Sequence, residues 1–272
     1  MSQDLFHRAY TCLQTNDVDS KLAMTTTLAA DWECGTLTLQ NTHSPVAPIA
    51  EPGRPDQPEL VSALHVAQRK VSSPTGRAAL IHSIAHIEFN AINLALDAVY
   101  RFRGLPREYY GDWLKVAAEE AYHFTLLRDH LRSLGYDYGS FSAHNGLWEM
   151  AVRTAHDPLV RMALVPRVLE ARGLDVTPVL IHKMASSGDK RAVEILEIIL
   201  RDEVGHVRIG NHWYTYLCAQ RGIEPMAMFR TLLQEYNAQV RPPFHTEARL
   251  AAGFSEEELQ ALERLSKTIL PQ

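Results

Sequence analysis

The chain has 272 residues, 46% of them hydrophobic, and a formal net charge of −5. That length allows one large domain or two small ones with a core of useful size. The acidic balance argues against nucleic acid as a partner.

The N-terminal stretch is mixed polar and apolar, without a signal-type apolar run, and no later segment reads as a membrane span. Cys12, Cys34 and Cys218 are odd in number and far apart, and no CxxC occurs. Both features predict thiols in a reducing cytoplasm and no membrane association.

Residues 3–15 and 19–33 read as two short amphipathic helices, with Asp17 or Asp19 capping the second. The Pro-rich stretch 41–60 can be neither a regular helix nor a central strand, and reads as an extended strap. After Ser73-Pro74 the pattern changes to long helices at about 75–102, 107–134, 147–186 and 189–221. The third is interrupted by Pro166, which frees the Met162 carbonyl and should kink it, and Pro178 is a second break point. A helix near 225–239, a Pro242-Pro243 break and a helix opened by the Ser255–Glu258 capping box complete the chain. The expected fold is all-α: an antiparallel four-helix bundle over 75–222, with an N-terminal arm and strap (1–74) and a C-terminal helical extension (223–272).

Each of the four long helices carries an acid within its apolar stripe. Advancing about 100° per residue places Glu88 among Ile81, Ile84, Ile92 and Ala95. Glu120 and His123 fall among Trp113, Val116, Phe124 and Leu127. Glu170 falls among Leu159, Ala163 and Leu174, and Glu203 and His206 among Leu196, Ile199 and Val207. A buried carboxylate must protonate, pair or bind metal. Lys and Arg are nearly absent from these stripes, although Arg167 flanks one. Two divalent cations would supply the charge, and the two Glu-x-x-His pairs would add neutral nitrogen ligands. The spacing repeats, with 32 positions from Glu88 to Glu120 and 33 from Glu170 to Glu203. Each half is therefore a helix with one Glu, a turn, and a returning helix with Glu-x-x-His. Two such hairpins with pseudo-two-fold symmetry place all six ligands at one level of the core.

The motifs HIEFNAI, EEAYH, VLEARG and RDEVGH, within about residues 76–220, resemble the ferritin-like di-iron and di-manganese carboxylate superfamily. That superfamily includes bacterioferritin, rubrerythrin, manganese catalase and oxygen-activating hydroxylases. The whole chain, including PPFHTEARLAAGFSEEEL, is similar to a bacterial ferritin-like family known as a domain of unknown function. The resemblance implies that Glu120 and Glu203 bridge two metals. Glu88 and His123 would complete one metal, Glu170 and His206 the other.

Glu119 and Asp202 precede the motif glutamates and are candidates to orient the ligating imidazoles, Asp202 for His123 and Glu119 for His206. Ala91, Ala95, Gly173 and Gly210 are small residues near the ligand level that could leave space for oxygen or substrate, and Tyr214 is a core tyrosine beyond Glu203. His82, His86, His130, His182, His212 and His245 fall off the ligand stripes and read as surface or second-layer residues. Arg101, Arg103 and Arg107 cluster at one turn, as a solvated helix end or a contact for an acidic partner.

Three function classes follow. The leading one is an O2-dependent oxidoreductase of hydroxylase or monooxygenase type, with two Fe ions (alternatively Mn, or mixed Mn/Fe), a small-molecule substrate and an external electron donor. The second is a ferroxidase, peroxide scavenger or manganese-catalase-like protein. The third is a metal-free helical interaction module. The extra segments could shape a pocket or form a homodimer interface.

Overall fold

The computed structural model describes residues 3–40, 45–67 and 69–269. The protein is all-helical, with no strand among the described residues and only two isolated bridges, Asp4–Thr38 and Leu60–Ala143. The chain forms two compact units, residues 1–153 with 187–195, and residues 154–186 with 196–272.

The first unit is built on a helical hairpin. Helix α1 is Leu5–Gln14, α2 is Val18–Glu33, α3 is Pro74–Arg101, α4 is Arg107–Ser133 and α5 is Gly146–Arg153. The signals that set their ends are local. Asp17 caps α2 through the Ser20 amide, and Ser73 caps α3 through the Gly76 amide, with Pro74 in the first turn. The α3–α4 connection passes through Gly104 at φ +77 and ends at Pro106. Helix α3 packs along α4, with α2 against α4 and both α1 and α5 against α3. By length and composition α3 is apolar enough to cross a membrane, contrary to the sequence-based expectation, but 83% of that apolar window is buried inside the protein. Its apolarity serves as core.

Arg101 and Arg103 at the α3–α4 turn are partly buried, and Arg107 is exposed. Arg101 closes on Asp97 at 2.7 Å, Arg103 lies over Phe6, and Arg107 lies 3.9 Å from the centre of the Trp32 indole. These cation–π contacts hold α1 and α2 on the hairpin. The strap docks through its backbone. The Gly53 amide donates to Leu13 O at 2.8 Å, the Trp148 indole donates to Ala50 O at 2.9 Å, and residues 59–61 pair with Ala143. The part of the strap at 41–44 lies outside the described residues.

The second unit holds α6 (Pro158–Leu164), a π-helical segment (Val165–Glu170), α7 (Ala171–Ser186), most of α8 (Lys190–Arg221), α9 (Pro225–Glu235), α10 (Thr246–Ala251) and α11 (Glu256–Ile269). The helix expected over 147–186, with interruptions at Pro166 and Pro178, is also broken at residues 154–157. There Asp157 caps the Leu159 amide at 2.8 Å, with Pro158 in the first turn, and a bidentate pair with Arg221 fixes the cap. Pro166 widens its helix into a π turn rather than only kinking it, and Pro178 is accommodated inside α7. The short α10 carries only weak signals, Glu247 in its first turn and Gly253 at φ +91 just beyond its end. It is tied down by Arg249, which is buried and bidentate on Asp175 of α7 at 2.9 and 2.7 Å. The Ser255–Glu258 capping box forms as expected, with reciprocal bonds of 2.8 and 3.1 Å.

Lys21 is the least expected core residue. It is 0% exposed, and its Nζ donates to Leu13 O, Gly53 O and Asn93 Oδ1. It thereby joins α1, the strap, α2 and α3. Burial carries this ammonium down to about 7, against about 10.4 for an unfolded lysine. Between those values the unfolded chain holds more protons, so raising the pH favours the folded state. Lys21→Met should cost about 1–3 kcal/mol for acceptors left without a donor. The wild-type advantage, measured by urea unfolding, should widen from neutral to alkaline pH. An advantage independent of pH would show that Lys21 does not titrate in this way.

Candidate metal centre

Helices α3 and α4 bring three of the sequence-predicted ligands together. Glu88, Glu120 and His123 are all buried, and their ligand atoms lie within 4.8 Å of one another. His123 Nδ1 stands 3.2 Å from Glu88 Oε2 and 3.4 Å from Glu120 Oε2, so both carboxylates converge on one imidazole nitrogen. Three causes produce this. Glu88 lies on the face of α3 that packs along α4. Glu120 and His123, three residues apart, share one face of α4. The closely packed hairpin sets the two faces opposite each other.

The electrostatics are those of a cation site. Burial pushes the Glu88 carboxyl well above the usual range, and the neighbouring Glu120 pushes it further, while His123 opposes the shift. Burial alone would lower the His123 imidazole, but hydrogen bonds to Glu120 and Glu88 outweigh it and carry it up to about 11. Protons therefore stand in the metal-free cluster where the positive charge of an ion would. Two carboxylates and an imidazole suit Fe or Mn in type.

The second unit holds the other three predicted ligands. Glu203 and His206 are buried on successive turns of α8, with His206 Nδ1 3.6 Å from Glu203 Oε1. Glu170 is the last residue of the π-helical segment and is partly buried. Of the residues proposed to orient the imidazoles, Glu119 is 3.8 Å from Lys115, and Asp202 accepts from its neighbour Arg201 at 2.8 Å.

The proposed pocket residues divide. Ala91 and Ala95 are buried in α3, and Gly173 has open space beside it. Gly210 does not provide space for a ligand, because Pro166 already fills it: an added Cβ would stand 2.6 Å from Pro166 Cγ and overlap Pro166 Cβ. Tyr214 is a structural anchor. Its hydroxyl donates to Pro225 O at 2.6 Å, and burial pushes the phenol up.

Three of the histidines read as surface or second-layer residues are buried. His82, His86 and His130 are 0%, 7% and 8% exposed. Burial holds both His82 and His86 down to about 4, so both are neutral. His86 Nδ1 shares a hydrogen bond with the Tyr138 hydroxyl at 2.8 Å, and His82 stacks on the same ring. His130 pairs with Asp189 at 3.0 Å. A single apolar stripe does not reveal His82 and His86, because α3 is buried on nearly all faces, and Tyr138, which covers one of them, comes from a loop.

The fold and this cluster define an all-helical protein with a buried Glu/His group that could hold a metal ion. The chain belongs to the family described as "Protein of unknown function (DUF455)", whose model matches residues 14–260. It is 52% identical over 223 residues to an uncharacterized protein of Haemophilus influenzae, covering 79% of this chain and 77% of that one. No solved structure matches the chain.

Because His123 is protonated in the metal-free cluster, an incoming ion must displace that proton. Mn(II) affinity should therefore rise with pH and still be rising above about pH 8, because the imidazole is held up to about 11, with proton release seen as a buffer-dependent heat in calorimetry. Mn(II) binding that is independent of both pH and buffer would mean that His123 carries no such proton.

Proposed function

We propose that the protein is a dinuclear metal carboxylate oxidoreductase acting with O2 or peroxide, with Fe as the first metal and Mn as the alternative. The observation that carries this reading is the convergence of Glu88, Glu120 and His123 in a buried, apolar setting. Three such groups together are costly to bury without a cation. The repeated spacing in the sequence extends the reading to Glu170, Glu203 and His206, and to a ferritin-like bundle in which Glu120 and Glu203 are shared between two ions. When bound, such a pair supplies redox chemistry with O2 or peroxide.

The chain's own residues then have separable tasks. Glu88 and His123 would hold one ion, and Glu170 and His206 the other. Asp202 and Glu119 would accept the outward N–H groups of the ligating imidazoles, His123 and His206 respectively, and so fix their tautomers. The apolar stripes around the ligands exclude water and keep the carboxylates committed to the ions. Hydroxylation of a small organic molecule is the version we favour.

The test is to add Fe(II) anaerobically to protein purified without chelators, count the bound metal, admit O2 and record the absorption spectrum. About two ions per chain, lost in Glu120→Ala, with new near-ultraviolet or visible absorption on oxygenation, is the expected result. Two Mn ions with rapid breakdown of peroxide would shift the assignment to catalase-like chemistry. No bound metal under either condition would overturn it.

A further inference from the structure

The second unit contains a buried arginine just before a proposed ligand. Arg167 is 2% exposed and lies in the π-helical segment, three residues before Glu170. Its Nη1 donates to Asn211 Oδ1 on α8 at 2.6 Å, and its Nη2 donates to Glu258 Oε1 on α11 at 2.6 Å. The rings of Tyr214, Phe229 and Phe254 enclose the guanidinium, with centres 4.6 to 4.9 Å away. Asn211 is itself fixed, since its Nδ2 donates to Ala252 O at 2.7 Å. The Arg167 charge is answered by Glu258, whose other oxygen accepts from the Ser255 amide to start α11.

These contacts set a register. Pro166 fills the notch at Gly210, and Arg167 bonds to Asn211, so two adjacent residues of the π segment meet two adjacent residues of α8. One turn separates Pro166 from Glu170, and one turn separates Gly210 from His206. The paired contacts therefore fix how the π segment, which ends at Glu170, lies along α8. A π turn contains one residue more than an α turn. Relaxation to an α turn would rotate one side against the other by about 100° and re-aim the Glu170 carboxylate.

We propose that Arg167, braced by Asn211 and Glu258, is a positioning residue that keeps the π-helical segment in the register that makes Glu170 a ligand. On this view helix α11 takes part in assembling the centre through Glu258. The inference rests on the dinuclear reading above. Its geometry is that of a planar, permanently charged fork gripping two partners at once, which lysine cannot reproduce.

The test uses the full chain, titrated with Mn(II) by calorimetry as wild type, Arg167→Lys and Glu258→Gln, with helical content checked by circular dichroism. Wild type should show two binding steps. In Arg167→Lys one step should persist and the other should weaken by about 10- to 100-fold. Glu258→Gln should weaken the same step, and it decides the question if Arg167→Lys does not fold. A purely structural role would lower the melting temperature while leaving both steps unchanged, or weaken both together, and either result would overturn the proposal. A wild type that takes up no Mn(II) or Fe(II) would remove the dinuclear reading, and this inference with it.

Discussion

A carboxylate on the apolar face of a core helix must be neutralised, because leaving it charged and alone in a low-dielectric interior costs several kcal/mol even after relaxation. In the α3–α4 hairpin this requirement is met twice within a few ångströms, by Glu88 and Glu120, with His123 set between them. Without metal, protons balance the cluster, and burial and mutual repulsion hold the Glu88 carboxyl well above its usual range. The imidazole compensates within one small cluster. Such an arrangement is awkward as a structural ion pair and natural as a place for an ion.

The segments outside the hairpin act as braces. In the first unit, Arg103 and Arg107 stack on Phe6 and Trp32, and Lys21 gathers two backbone carbonyls and Asn93. In the second unit, Arg167 and Arg249 do comparable work, each buried, paired with a carboxylate and packed on aromatic rings. In the second unit the buried cations thus have their charge met away from the proposed ligand carboxylates. Placing the cations at the ligands would satisfy those acids with salt bridges and leave nothing for a metal to do.

Much of this is legible from pattern alone. The start of α3 at Pro74, the Asp17 cap and the Ser255–Glu258 box are local signals, and local signals survive folding. Helical periodicity puts Glu88, Glu120 and His123 inside because the period of a helix is fixed. Periodicity fails where burial comes from a non-local partner. His86 is buried by a loop tyrosine some fifty residues away, and Lys21 by the strap. The break before α6 is encoded in the Asp157-Pro158 pair, a clear N-cap signal outweighed by the apolar periodicity on both sides. Gly210 shows a different limit. A small residue on a core face means close approach, and only the structure says whether a ligand or a proline approaches.

The most direct test of the central claim is anomalous diffraction from crystals grown with Fe(II) or Mn(II), with data collected at the absorption edge of each metal. Two anomalous peaks about 3.5–4 Å apart are expected, with Glu88, Glu120 and His123 among the ligands of the pair. A peak elsewhere, or none at that cluster in a crystal soaked to saturation, would contradict it.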